Sequence, residues 1–212
     1  MKVIILAGGL GSRLGLETEK IPKPMVEIGG IPILVHIMKI YSFFGYAEFI
    51  LALGYKADII KNYFSSYQTG GNWKIDCINT GLNTQTGGRI KRAMEFAGNN
   101  RVMATYGDGL ANIDISKLMY FHKKHKKLST VTAVRPPARF GRLDLEGDMV
   151  IHFAEKPQSG KGWINGGFFV LEPEVKDYIT DDEMVFEDLP LINLVKEKQL
   201  ACYKHFGFWK PM

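Results

Sequence analysis

Cysteine is scarce: Cys77 and Cys202 are the only two in 212 residues. Two thiols without metal-ligand spacing support neither a disulfide framework nor a zinc site, and they suit a reducing compartment. Long apolar runs are also missing. The opening Val3-Ile4-Ile5-Leu6 passes at once into glycine, too short for a signal peptide or a membrane span, so a soluble, cytoplasmic protein with no membrane partner is expected. No single sign of charge dominates: 27 Lys plus Arg stand against 22 Asp plus Glu. The net +5 suits an anionic small molecule and does not point to a nucleic-acid partner. The one dense basic run, residues 122–127, reads as the solvated end of a helix. His36, His122, His125, His152 and His205 show no triad or metal spacing and are assigned no chemistry.

What is present is a globular chain, 46% hydrophobic and long enough for one substantial core. Lys2–Leu6, Phe49–Leu53, Lys74–Asn79, Val102–Tyr106 and Thr130–Arg135 read as strands, several apolar on both faces. Between them, helices are expected from Pro32 to Gly45 and over Ala57–Phe64, Gly88–Phe96 and Ser116–His125. Alternating strands and helices predict an α/β fold with a mostly parallel, Rossmann-like sheet flanked by helices. From about Gly141 the texture changes. Leu143–Leu145, Gly147-Asp148, Val150–Phe153 and Trp163–Leu171 read as a hairpin returning to a longer strand, a small α+β appendage expected on the sheet's edge. Residues 1–212 are therefore expected to form one domain, with a core over about 1–135 and a second part over about 136–212. No fixed-period repeat and no Ser/Gly linker interrupts it.

Strand one feeds directly into Ala7-Gly8-Gly9-Leu10-Gly11-Ser12-Arg13-Leu14. Such a loop can bring backbone N–H groups against phosphates, although a glycine cluster alone fits an ordinary strand-to-helix turn equally well. Spacing excludes two better-known motifs. A dinucleotide fingerprint starting at Gly9 would need glycine where Leu14 stands, and no Gly-Lys-Ser/Thr follows as in a P-loop. Arg13 as a planar fork and Lys23 as a point charge in Pro22-Lys23-Pro24 could clamp a triphosphate. Val102–Tyr106 ends at Gly107-Asp108-Gly109, which places a carboxylate at the carboxyl edge where open α/β sheets bind ligands. It could hold Mg2+, but Gly-Asp-Gly is also a common turn.

Leu6-Ala7-Gly8-Gly9-Leu10-Gly11-Ser12-Arg13-Leu14 together with Pro22-Lys23-Pro24-Met25-Val26 resembles the signature of the sugar-1-phosphate nucleotidylyltransferases. That resemblance implies that Leu6 through Arg13 and Lys23 hold the NTP phosphates, with Arg13 and Lys23 as the catalytic cations. It makes Gly107 and Asp108 part of the nucleotide site, and Asp108 a Mg2+ ligand. Ser12 stands where the family more often has Thr. By the same resemblance, Glu155, Lys156, Asn165 and Gly166 bind the sugar phosphate, which makes about 1–135 the nucleotide-binding core and about 136–212 the sugar-phosphate-binding part. The implied reaction is in-line attack of a sugar-phosphate oxygen on the NTP α-phosphorus with loss of pyrophosphate. No protein nucleophile is required, because the attacking group is already an anion.

Further stretches are similar to the cytidylyltransferase branch that acts on glucose 1-phosphate: Gly54-Tyr55-Lys56, Thr86-Gly87-Gly88-Arg89, residues 136–141 and Gly207-Phe208-Trp209-Lys210-Pro211-Met212. The branch implies CTP and glucose 1-phosphate as substrates, with the product used for dideoxysugars of the O-antigen. It also implies nucleotide contacts from Thr84 and Arg89, the latter through a guanidinium facing cytosine, and a homo-oligomer. Two departures stand out. The connection from Phe64 to Asn79 is about twenty residues shorter than the resemblance leads one to expect. The family also continues past Pro-Met with an aspartate that is a second metal ligand, so the C-terminal end is expected to be missing here. The alternatives are the same reaction with another NTP or sugar, a non-catalytic nucleotide-sugar-binding protein, and, least, a Rossmann oxidoreductase.

Overall fold

The computed structural model describes residues 1–9, 21–67, 72–135, 142–154 and 162–212; of residues 142–145, 153 and 154 only the backbone is described. Five α-helices and thirteen strands, some of only two residues, occur among them. The seven-stranded main sheet is built from β1 (Lys2–Ala7), β4 (Glu48–Leu53), β5 (Lys74–Asn79), β6 (Val102–Tyr106), β8 (Ser129–Val134), β11 (Ile164–Leu171) and β12 (Leu200–Lys204). Their spatial order is β12-β8-β11-β6-β1-β4-β5. β2 (Glu27–Ile28) with β3 (Ile31–Pro32), β7 (Gly109–Ala111) with β13 (Trp209–Pro211), and β9 (Arg142–Glu146) with β10 (Met149–Ala154) form three small ribbons.

Period-two alternation in β1 explains the layering. Val3 and Ile5 join a core under α1 (Ile33–Phe43) that also holds Leu118 and Met119 of α4 (Ile115–His125). Ile4 points the other way, into a core made with Ile90 and Met94 of α3 (Thr86–Ala97) and Leu194 of α5 (Leu189–Lys196). All three β1 residues are fully buried, as expected of a strand covered by helices on both faces. The remaining crossover helix is α2 (Ala57–Ser66). α1 starts one residue after the expected Pro32, which belongs to β3, and Gly45 ends it with φ +84°.

β1 pairs in parallel with both β4 and β6, β4 with β5, and β12 with β8. The order therefore reverses at β1: the chain moves outward to β4 and β5, then returns to the other flank as β6. That switch point opens a crevice at the carboxyl edge between the loops that follow β1 and β6.

One expectation is corrected. The strand after the hairpin, expected with an appendage on the sheet's edge, is β11, and it lies inside the sheet, antiparallel to β6 and β8. Among the described residues no helix separates β8 from β11, and an antiparallel neighbour needs none, whereas a parallel one takes a crossover connection. Phe168 and Phe169 fill opposite faces and are almost wholly buried.

Candidate functional site

A cavity of about 510 Å³ occupies the crevice, lined by Leu6–Gly9, Lys23, Pro24, Leu82–Thr86, Arg89 and Tyr106–Asp108. Of the residues expected to bind nucleotide, Leu6, Ala7, Gly8, Gly9, Lys23, Thr84, Arg89, Gly107 and Asp108 converge here. Leu10, Gly11, Ser12 and Arg13, and on the acceptor side Glu155 and Lys156, lie outside the described residues. Asn165, at the start of β11, connects to the cavity through Tyr106, as set out below, whereas Gly166 does not line it and its carbonyl accepts from Trp209 Nε1 at 2.8 Å. Leu82, Asn83, Gln85, Thr86, Pro24 and Tyr106 are lining residues that sequence reasoning did not assign to the site.

The floor is set by close backbone approach. Gly107 N–H donates to Leu6 O at 3.0 Å, joining the loop after β6 to the end of β1. A Cβ on Gly8 would collide with the Arg89 guanidinium and come within 2.7 Å of Gly54 N, so only glycine fits there.

Lys23 opens a short 3-10 turn, Lys23–Met25, with Pro22 before it and Pro24 and Met25 buried. The turn anchors the backbone and sends the side chain into the crevice. Lys23 Nζ lies 2.6 Å from Asp108 Oδ2 and also donates to Met212 O, while Met212 N–H donates to Asp108 O at 2.9 Å. Pairing of β13 with β7 brings the 209–211 strand alongside Asp108. The Asp108 side chain is one-third exposed, reachable by a ligand, whereas that of Lys23 is 12% exposed. The ammonium thus sits as a cation on the carboxylate expected to bind metal. Among the described residues no group of three or more His, Cys, Asp or Glu could hold a metal ion. Lys23 competes with a metal for this carboxylate, and a hard divalent ion held here would share it with the ammonium and complete its shell with phosphate oxygens and water.

Arg89 also has a role within the protein. Only 4% exposed, it donates from Nη1 to Leu53 O (3.1 Å), Thr80 Oγ1 (2.6 Å) and Gly81 O (2.8 Å), and from Nη2 to Leu82 O (3.2 Å). Both Nη1 hydrogens are committed to the protein, so the guanidinium holds the 80–82 segment while it also lines the cavity. Burial, followed by the neighbouring Arg92 charge, lowers its pKa.

The N-terminus of α3 is covered as well. Gly87 N donates to Met184 O at 2.9 Å, Gln85 N to Asp182 O at 2.8 Å, and Phe186 N to Thr86 Oγ1 at 2.9 Å. A Cβ at Gly87 would approach Met184 O within 2.5 Å, and one at Gly88 would reach Asp182 Cα at 2.7 Å. The glycine pair therefore admits the 182–187 segment against the helix. That segment delivers Glu187, whose Oε2 accepts from Thr86 Oγ1 at 2.6 Å and whose Oε1 accepts from the Tyr106 hydroxyl. Asn165 Nδ2 donates to the same hydroxyl at 3.0 Å, and Asn165 Oδ1 accepts from Gly167 N at 2.8 Å. Burial first, then the Glu187 carboxylate, pushes the Tyr106 pKa far above its ordinary value, so the hydroxyl keeps its proton. No sequence signal marks Glu187; it reaches the site only through the fold.

With this geometry in view, similarity to known proteins is informative. Residues 2–205 match the nucleotidyl transferase family. The chain is 45% identical to the glucose-1-phosphate cytidylyltransferase of Salmonella typhi, aligned over all of this chain and 91% of that protein. It is also 45% identical to the probable glucose-1-phosphate cytidylyltransferase of Bacillus subtilis, over 99% and 90%. The crystal structure of HddC from Yersinia pseudotuberculosis complexed with GMP-PN superimposes with a TM-score of 0.73 at 29% identity, covering 99% of this chain and 92% of that one. The chain belongs to the nucleotidyl transferase family and is a nucleotidyltransferase enzyme. The Salmonella alignment runs over 233 positions against a chain of 212, so that relative has residues with no counterpart here. No helix among the described residues is long and apolar enough to cross a membrane.

Proposed function

We propose that the protein transfers CMP from CTP to α-D-glucose 1-phosphate, giving CDP-glucose and pyrophosphate. The observation that carries this reading is the Lys23–Asp108 pair at the switch point between β1 and β6, a cation and a metal-competent carboxylate at the mouth of a nucleotide-sized cavity. The choice of CTP and glucose is supported by the names of relatives that share 45% of its residues along the whole chain.

In this reading the backbone from Leu6 to Gly9 and the ammonium of Lys23 hold the triphosphate, and Arg13 adds a second cation. Thr84 and the Leu82 segment fixed by Arg89 form the wall against the base. Glu155, Asn165 and Gly166 orient the sugar, and Lys156 neutralises its phosphate so that two anions can meet. A phosphate oxygen of the sugar phosphate forms a bond to the α-phosphorus as the bond to the pyrophosphate oxygen breaks, and pyrophosphate leaves with the electron pair. Mg2+, held by Asp108 and phosphate oxygens, supplies charge neutralisation when bound. Catalysis is then positioning and electrostatics, with no proton to remove from the nucleophile.

Pyrophosphate release from CTP, UTP, ATP, GTP and dTTP, each with glucose 1-phosphate and Mg2+, tests the reading. CTP is expected to show the highest kcat/KM. Preference for UTP or dTTP overturns the cytidylyl assignment, and nucleotide binding without release of pyrophosphate overturns the enzyme assignment for this polypeptide.

A further inference from the structure

Glu187 belongs to none of the motifs that define the site, yet hydrogen bonds converge on it from both sides of the cavity. One series runs from Phe186 N–H to Thr86 Oγ1 and from the Thr86 hydroxyl to Glu187 Oε2. The other runs from Asn165 Nδ2 to Tyr106 Oη and from the Tyr106 hydroxyl to Glu187 Oε1. Every donor in both points toward the carboxylate. An ionised carboxylate is acceptor-only, so it dictates the direction of each hydroxyl.

We infer that Glu187 and Tyr106 are positioning residues that lock the Asn165 carboxamide, and with it the acceptor side of the site, in a single orientation. With its hydrogen turned to Glu187, the Tyr106 oxygen can only accept from Asn165. Asn165 must then present Nδ2 to Tyr106 and Oδ1 to Gly167 N–H, as observed. The flipped carboxamide would set Nδ2 against Gly167 N–H, donor against donor. The second Nδ2 hydrogen and the remaining Oδ1 lone pair are left at defined places on a residue that is otherwise exposed. They match a vicinal pair of sugar hydroxyls, one accepting and one donating. The Thr86 arm ties the same carboxylate to the nucleotide wall, so one residue sets the spacing of both. This assignment rests on the proposal that Asn165 contacts the sugar.

The experiment combines kinetics with a readout that needs no substrate. Tyr106→Phe removes the link and keeps the ring, and is expected to raise KM for glucose 1-phosphate by roughly tenfold, the value of one lost neutral hydrogen bond, while KM for CTP stays within about twofold. Glu187→Leu should reproduce the acceptor-side loss. Glu187→Gln should largely restore it, because its Oε1 can still accept from Tyr106 if its amide turns to the Thr86 oxygen. The double variant Tyr106→Phe/Glu187→Leu should be no worse toward glucose 1-phosphate than the poorer single variant, since both break one path. In ligand-free protein, the Asn165 carboxamide hydrogens, assigned by their disappearance in Asn165→Asp, should exchange with water faster in Tyr106→Phe than in the parent.

The inference is overturned if Tyr106→Phe leaves KM for glucose 1-phosphate unchanged, raises both KM values equally, or combines multiplicatively with Glu187→Leu. Unchanged exchange at Asn165 overturns it equally, and that result stands whatever the substrates are. If the parent turns over but ignores glucose 1-phosphate, the proposed substrate is wrong, while the exchange measurement still decides the role of Glu187. Should Glu187→Leu fail to fold, Tyr106→Phe decides alone.

Discussion

The two walls of the cavity are built on different principles. On the nucleotide side, shape comes from backbone: Gly8 and Gly54 pressed against Arg89, and the carbonyls of Leu53, Gly81 and Leu82 gathered by a buried guanidinium. On the acceptor side it comes from side chains, in the series Asn165, Tyr106 and Glu187, which Thr86 ties to the nucleotide wall. A wall of buried backbone cannot lose a member without leaving unsatisfied polar groups, whereas a wall of side chains can lose one hydroxyl and stay folded. Substitutions on the first side should therefore register chiefly in stability, and those on the second in recognition.

The residues between the walls should give the largest effects, and on rate rather than stability. Lys23→Ala is expected to lower kcat for pyrophosphate release by at least about a hundredfold, the scale for losing one preorganised group that stabilises transition-state charge. Asp108→Asn should do the same and should also weaken Mg2+ binding followed by calorimetry. Near-parental turnover in either variant would remove the pair from the chemistry.

Arg89→Ala tests the nucleotide wall directly. It leaves the Gly81 and Leu82 carbonyls without their Arg89 donor, while Leu53 O keeps the Thr80 N–H and hydroxyl, and should cost about 2 kcal/mol in urea unfolding, because each buried group left unpaired carries about 1 kcal/mol or more. A loss confined to KM for CTP, with stability intact, would show that Arg89 reads the base and would erase the contrast between the walls.

Gly88→Ala should be milder. Its methyl group would meet Asp182 Cα and Thr84 Cγ2, each 2.7 Å away, and overpacking of this kind costs about 1–3 kcal/mol. Because the displaced segment carries Glu187, KM for glucose 1-phosphate should rise along with the instability. An unchanged melting temperature would mean that the segment yields freely.

The smallest effect belongs to a group far from both walls. His122 is buried, with Nδ1 2.8 Å from Thr130 Oγ1 and Nε2 3.1 Å from Glu172 Oε1. Burial holds its pKa below the ordinary 6.5, against the opposing pull of Glu172. The unfolded chain therefore takes up this proton first, and stability should decline as pH falls below about 6.5, levelling off below the folded pKa. Urea midpoints from pH 7.5 to 5.5 measure the decline, and His122→Gln should flatten it. A slope that survives the substitution assigns the effect to another group.

Much of this was readable in advance. Four crossover helices and five strands lie within a few residues of where periodicity places them, because strands with apolar residues on both faces and helices ended by glycine are local signals. The basic run 122–127, which closes α4, is not solvated throughout. His122 turns inward to Glu172, while the lysines beyond it end the helix. Glu187 was invisible, since nothing in one of the two Glu residues within 182–187 announces two hydroxyl donors 81 and 101 positions away.

The sequence by itself determined the α/β class, the glycine loop after β1, the placement of Lys23 and Asp108 toward one edge, and the kinship that names the chemistry. Those properties depend on neighbours along the chain: a strand's period, a proline's fixed φ, a glycine where a strand ends. Only the tertiary structure decided that β11 runs antiparallel inside the sheet and that Lys23 rests on Asp108. It also decided that Arg89 is spent on carbonyls and that Glu187 is the meeting point of the two walls. Each of these is a contact between residues distant in sequence, selected by which surfaces bury one another, and no local pattern records that selection.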